Sequence, residues 1–159
     1  MMIRKIERRV EAACKKSTNY FGYEIWTNHI VPVVKYAKLM AKKRGANEEI
    51  VEIAALLHDY ASVKDYTFYE DHHIHGAGLA EQILKKCHYP PSKIKQVKHC
   101  ILSHRGSKVS PKLSKEALCL TDADSMVHFD SISSLFYLAF FSHGMNVIEA
   151  KNWLMQKLE

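Results

Sequence analysis

Apolar residues recur three and four positions apart along almost the whole chain, and this helical periodicity restricts the available folds more than any other feature. Only 6 Gly and 4 Pro interrupt the 159 residues. No β-branched stretch alternates with polar residues for long enough to build a sheet. The chain therefore reads as all-α, a single compact domain of about seven or eight helices. A first helix carries Ile3, Ile6, Val10 and Ala13, and a second, over 28–44, admits Pro32 in its first turn and stops at Gly45. Asn47 caps a third, whose run Ile53-Ala54-Ala55-Leu56-Leu57 is apolar nearly all round and therefore buried. Beyond a polar loop over 62–71, helices follow over 72–87, from a Ser92 cap to 104, from Ser114 or Pro111 through 126, over 132–142, and over 147–158 behind Asn146.

Hydrophobic residues make up 47% of the chain, enough at this length to close a core without metal or disulfide staples. The cysteines Cys14, Cys87, Cys100 and Cys119 form no CxxC pair and lie in helical segments, which suits core thiols in a reducing cytoplasm. The start has no apolar segment behind its charges, and the longest apolar run, 135–141, is far short of the about 20 residues a bilayer requires. A cytoplasmic protein with no membrane contact is expected. The net charge of +6 favours anionic partners. Basic residues come in short clusters such as Lys42-Lys43-Arg44, which suits a small phosphorylated molecule at least as well as nucleic acid.

Ten histidines are many for such a chain, and helical phase separates those that face the core from those that do not. At about 100° per residue, His29 shares an arc with Val33, Tyr36 and Met40, and His58 with Val51, Ala54 and Ala55. By the same count His72 aligns with Gly76, Leu79 and Ile83, and His104 with Val97, Cys100 and Ile101. Asp122 and Asp124 are about 200° apart on their helix, so they cannot both face inward. Asp124 lies within the stripe of Ala117, Leu120 and Val127. A buried carboxylate needs a cation or several donors, and Asp59, at the end of the most apolar helix, raises the same demand. Inward imidazoles and carboxylates from five helices are jointly satisfied by a bound cation. His128, near the Asp124 arc, reads as a core residue; His88 and His143 read as solvated turn residues, and His73 and His75 as too far out of phase to chelate together.

A histidine early in a helix, a His58-Asp59 pair closing an apolar helix, further histidines in His72-His73-Ile74-His75-Gly76-Ala77 and Ile101-Leu102-Ser103-His104, and the late aspartate of Thr121-Asp122-Ala123-Asp124 form an ordered set. It resembles the HD-domain superfamily of metal-dependent phosphohydrolases, over about 26–128, with the helices of 132–158 packing on that core. The resemblance implies one metal held by His29, His58, Asp59 and Asp124 and a possible second on His72 and His104. The sequence lacks the GYP signature of the cyclic-dinucleotide phosphodiesterases, and no Glu-Asp follows His58-Asp59 as in guanosine-polyphosphate hydrolases, which weighs against both substrates.

The expected activity is hydrolysis of a nucleotide or other small phosphate ester by a metal-activated water. A mixed imidazole and carboxylate set suits one or two ions of Mn, Fe, Co, Ni or Zn. Asp59, His72 and His104 are the candidate catalytic residues, and Lys64, Arg105 and Lys108 the candidate phosphate-binding cations, Arg105 first because a guanidinium can grip phosphate in two places. A non-catalytic nucleotide- or nucleic-acid-binding module with a regulatory role, and a di-iron oxygenase on the same fold, are the alternatives.

Overall fold

The computed structural model describes residues 2–105 and 114–158. All regular structure among them is helical. Helix α1 (Met2–Cys14) buries Ile6, Val10, Ala13 and Cys14 along one stripe. Helix α2 (Val31–Arg44) continues directly from a π-helical turn over Trp26–Ile30, so the helical segment as a whole begins earlier than the 28 that periodicity suggests. Pro32 explains the wide turn: with no N–H, it cannot donate to the Asn28 carbonyl four residues back. That carbonyl instead accepts from Ser131 Oγ at 2.9 Å, and the Val31 N–H reaches back five residues to Trp26 O. Gly45, at φ 63°, ends α2 in the left-handed conformation that a side chain disfavours.

Helix α3 (Glu48–Leu57) starts where Asn47 Oδ1 accepts the Ile50 N–H at 3.2 Å, with Glu48 and Glu49 favouring the positive helix start. The polar segment that follows is not wholly a loop. It forms α4 (Tyr60–Lys64) and a 3₁₀ turn over Tyr66–Phe68, the latter nucleated by Asp65, whose carboxylate accepts from the Thr67 N–H and hydroxyl at 3.0 and 2.7 Å. Helix α5 (His72–Lys86) is followed by α6 (Pro91–Ser103), which opens on Pro91 rather than on a Ser92 cap. A proline in the first helical position needs no partner for a donor it lacks. Helix α7 (Lys115–Asp130), capped by Ser114 Oγ on the Ala117 N–H at 3.1 Å, runs past 126. Helix α8 (Ile132–Tyr137) passes into a second π turn, Leu138–Ser142. Helix α9 (Val147–Leu158) opens with a reciprocal cap: Asn146 Oδ1 accepts from the Ile148 and Glu149 N–H groups, and Glu149 Oε2 from the Asn146 N–H.

The core is built around α3. Ile50, Val51, Ile53, Ala54, Ala55 and Leu57 are fully buried, and α1, α2, α6 and α7 pack around them. Each large side chain so buried contributes about 1.5–3 kcal/mol. Helix α5 lies on α4 and α6, and Gly76 lets it approach closely: a Cβ there would sit 3.2 Å from the His58 carbonyl oxygen. A smaller apolar cluster, Leu135, Ala139, Ala150 and Leu154, joins the α8 segment to α9, which also contacts α7. Among the described residues, no helix is long and apolar enough to cross a membrane.

Candidate metal centre

The chain turns sharply where α3 ends, so two consecutive side chains point to one place. His58 is fully buried and its Nδ1–H donates to Ala55 O at 2.7 Å, which leaves Nε2 as a lone pair aimed away from the helix. The π turn before α2 delivers His29, whose Nε2 lies 3.1 Å from His58 Nε2, 3.2 Å from Asp59 Oδ2 and 3.3 Å from Asp124 Oδ1. Asp124 comes from the middle of α7. The π turn, the α3 end and α7 thus bring two imidazoles and two carboxylates together.

The other oxygen of Asp59 faces a second group. Oδ1 is 3.4 Å from His72 Nε2, and His72 Nε2 is 3.0 Å from His104 Nε2. His72 stands at the start of α5 and His104 just past α6, and each donates Nδ1–H to the carbonyl three residues earlier, Tyr69 O and Ile101 O, both at 2.6 Å. This is the arrangement in which a backbone carbonyl fixes the tautomer and orientation of a ligating ring.

The electrostatics call for positive charge. Burial alone would raise the Asp59 carboxyl, but His58, His29 and His72 outweigh it and hold the group well below the usual carboxylate range. Burial likewise pushes Asp124 up, while His128, His29, His58 and His104 bring it below its ordinary value. His104 is pushed down to about 3, mainly by burial and then by His58, so it is neutral at physiological pH. Neutral His104 uses its Nδ1–H on the backbone, so its Nε2 lone pair points at the Nε2 of His72, 3.0 Å away, whose own Nδ1 likewise faces a backbone carbonyl. Asp124 Oδ1 is buried without a hydrogen bond although imidazole nitrogens surround it. Unpaired acceptors converging in this way fit a divalent cation, and the donor types suit a borderline transition ion.

Three groups among the described residues could hold an ion: His29, His58 and Asp59; Asp59, His72 and His104; and His29, Asp124 and His128, each with ligand atoms within 4.8 Å of one another. His128 belongs beside the cluster rather than in the apolar core: its ring stacks on His29 at 5.3 Å, and Nε2 is 3.8 Å from Asp124 Oδ1. Its spacing of four from Asp124 puts it on the same face of α7, which by itself does not separate a core residue from one beside the cluster. Asp122 is on the surface, paired with Arg44 at 2.6 Å. His143 is half-buried between the rings of Tyr69 and Trp153, not in open solvent.

A polar cavity of about 760 Å³ gives access to the cluster, reaching Asp59, His72, His104, Asp124 and His128. Arg105 lines it, with its guanidinium held by the carbonyl and carboxylate of Glu70. Lys64 is exposed at the end of α4 and does not line this wall. Lys108 lies outside the described residues.

The HD-domain model matches residues 26–127, the stretch that contributes every one of the ring and carboxylate groups from His29 to Asp124. The chain belongs to the HD-domain family. In sequence, this HD-domain protein is 30% identical over 82 residues to an uncharacterized protein of Clostridium beijerinckii. The match covers 50% of this chain and 52% of that protein, so the chain spans about half the length of that relative. In fold it is similar to the crystal structure of a predicted HD superfamily hydrolase from an uncultured Thermotogales bacterium, with a TM-score of 0.67 and 23% identity. That likeness covers 97% of this chain and 83% of the other, and it supports the all-helical HD architecture.

Proposed function

We propose that the protein is a metal-dependent phosphohydrolase acting on a nucleotide or other small phosphate ester, and that it takes up one or two divalent transition ions. In this reading His29, His58, Asp59 and Asp124 hold the first ion, and Asp59, His72 and His104 the second. The observation that carries it is the divided Asp59 carboxylate, with Oδ2 3.2 Å from His29 and Oδ1 3.4 Å from His72. One carboxylate facing two nitrogen groups is the form of a bridging ligand.

Such ions supply Lewis acidity toward a phosphoryl oxygen and toward water. The chain's own residues do the positioning. Asp59 keeps both groups in register, and the carbonyls of Ala55, Tyr69 and Ile101 hold the three rings in the tautomer that presents Nε2. Arg105, poised on Glu70 at the wall of the polar cavity, offers a planar cation to phosphate oxygens by exchanging partners. The bond cleaved can be a phosphomonoester, phosphodiester or pyrophosphate.

The test is phosphate release from a panel of nucleotides and simple esters by protein loaded in turn with Mn, Fe, Co, Ni and Zn. Release should vanish on chelation and in Asp59→Ala. Undiminished release in either condition would overturn the reading.

A further inference from the structure

A second cavity, of about 670 Å³, reaches the cluster at His29 and Asp59 and shares Asp59, Tyr69 and His128 with the polar one. Its walls differ in character. On one wall Tyr20 stacks on Tyr66 with centroids 4.0 Å apart, and Phe21 meets the rings of Tyr66 and Tyr69 at 5.5 and 6.0 Å. These rings brace one another, so the surface that Tyr20, Phe21 and Tyr69 give the cavity is held in place. Another wall comes from the α8 region, where Ser131, Ser133 and Ser134 are followed by Leu135, Tyr137 and Leu138. The Tyr20 hydroxyl donates to Ser142 O at 3.4 Å and ties the two walls together.

We propose that this cavity is the subsite for the organic group of the phosphate ester, that the group is a planar aromatic ring with polar edge atoms, and that the phosphate lies at Asp59, where the two cavities meet. The proposal rests on the phosphohydrolase reading. The volume falls within the roughly 300–1,000 Å³ typical of small-molecule sites. Braced rings offer faces and edges for stacking, and the serine hydroxyls can donate to or accept from ring heteroatoms. An acyl chain would leave the Ser133 and Ser134 hydroxyls desolvated and unpaired; a bare sugar would leave the rings uncovered by any apolar face. Orientation follows from charge. Glu24 lines this cavity and no Lys or Arg does among the described residues, whereas Arg105 lines the polar one, so the phosphate belongs at the Arg105 side of Asp59 and the ring on the other.

Phosphonates test this without turnover, because their carbon–phosphorus bond is not a substrate for ester hydrolysis. Calorimetry on the manganese-loaded full chain would compare indol-3-ylmethylphosphonate, cyclohexylmethylphosphonate and methylphosphonate. The indolyl compound should bind at least about tenfold tighter than both others. Ser134 is exposed at the cavity wall, so Ser134→Trp adds bulk without disturbing the core and should erase most of that advantage. Phe21→Leu, which keeps an apolar side chain, should reduce it more modestly. Equal affinity for the indolyl and cyclohexyl compounds, or an advantage that survives Ser134→Trp, would overturn the subsite. The parent reading fails separately: ring-selective binding with no phosphate release from any aryl or nucleoside phosphate would remove the hydrolase and leave the subsite standing.

Discussion

Asp59 is the residue whose two oxygens are not interchangeable, since each faces a different set of nitrogens. Removing one set should therefore affect one ion only. His104→Ala is expected to lower metal content from two ions per chain to one, read by elemental analysis after dialysis, and to leave the ion on His29, His58 and Asp124 in place. A wild-type content of one ion that His104→Ala does not change would confine the site to the first group. Asp122→Asn provides the contrast. Its partner Arg44 is as exposed as Asp122 itself, each at 41%, so losing the pair should cost at most about 1 kcal/mol and leave metal content untouched. Helical phase distinguishes these two aspartates because a rotation of about 200° on a regular helix cannot be compensated locally. The same phase rule gives His128 no distinct meaning: a histidine one turn beyond Asp124 falls on an apolar stripe whether it is packed in the core or stacked against His29, and only the position of the π turn decides between the two.

At the scale of elements, the long helices with uniform period were legible, and the departures from 3.6 residues per turn were not. The π turn over Trp26–Ile30 follows from Pro32, yet a periodicity argument assumes the regular turn that Pro32 disrupts. Helix α4 and the 3₁₀ turn after it are too short to show a period at all, and they hold Tyr69 where its carbonyl can anchor His72. The close seat of α5 on the α3 end is equally invisible in sequence, apart from Gly76. Alanine is the better helix former by about 1 kcal/mol, but a Cβ at Gly76 would lie 3.2 Å from His58 O and 3.4 Å from Ile101 Cγ2. Gly76→Ala should therefore lower the melting temperature and weaken metal retention together, by lifting His72 away from Asp59. At Gly78, two residues along, a Cβ would meet nothing within 4 Å, and Gly78→Ala should stabilise the fold by about 0.5–1 kcal/mol in denaturant unfolding with metal content unchanged. A similar loss of metal in both variants would show that the approach of α5 does not govern the site.

Across the whole molecule, an apolar core built on α3 encloses one end of a cluster in which His104, Asp59 and Asp124 are held away from their ordinary titration, and this sets how stability depends on pH. His104 is pushed down to about 3 by burial and by His58, against about 6.5 in an unfolded chain. The unfolded state therefore binds the proton more readily, and the stability contributed by neutral His104 is complete above about pH 6.5 and is lost progressively as the pH falls toward 3. Asp59 and Asp124, also held below their unfolded values, act in the same direction at lower pH, where their contribution disappears as the solution passes below the ordinary carboxylate range. Metal-free protein should thus be most stable near neutrality and weaken steadily under acid. A divalent ion binds the deprotonated cluster, so at pH 7.5 and about a hundred times its dissociation constant it should add about 2.7 kcal/mol. Denaturant unfolding of the metal-free protein at pH 7.5, 6 and 5, and with manganese at pH 7.5, measures both effects. Because Ile50, Val51, Ile53 and Leu57 are buried by neighbouring helices rather than by the cluster, the chelated protein should still unfold cooperatively. A metal increment of the same size in Asp59→Ala as in the wild type would mean that the ion binds away from the cluster.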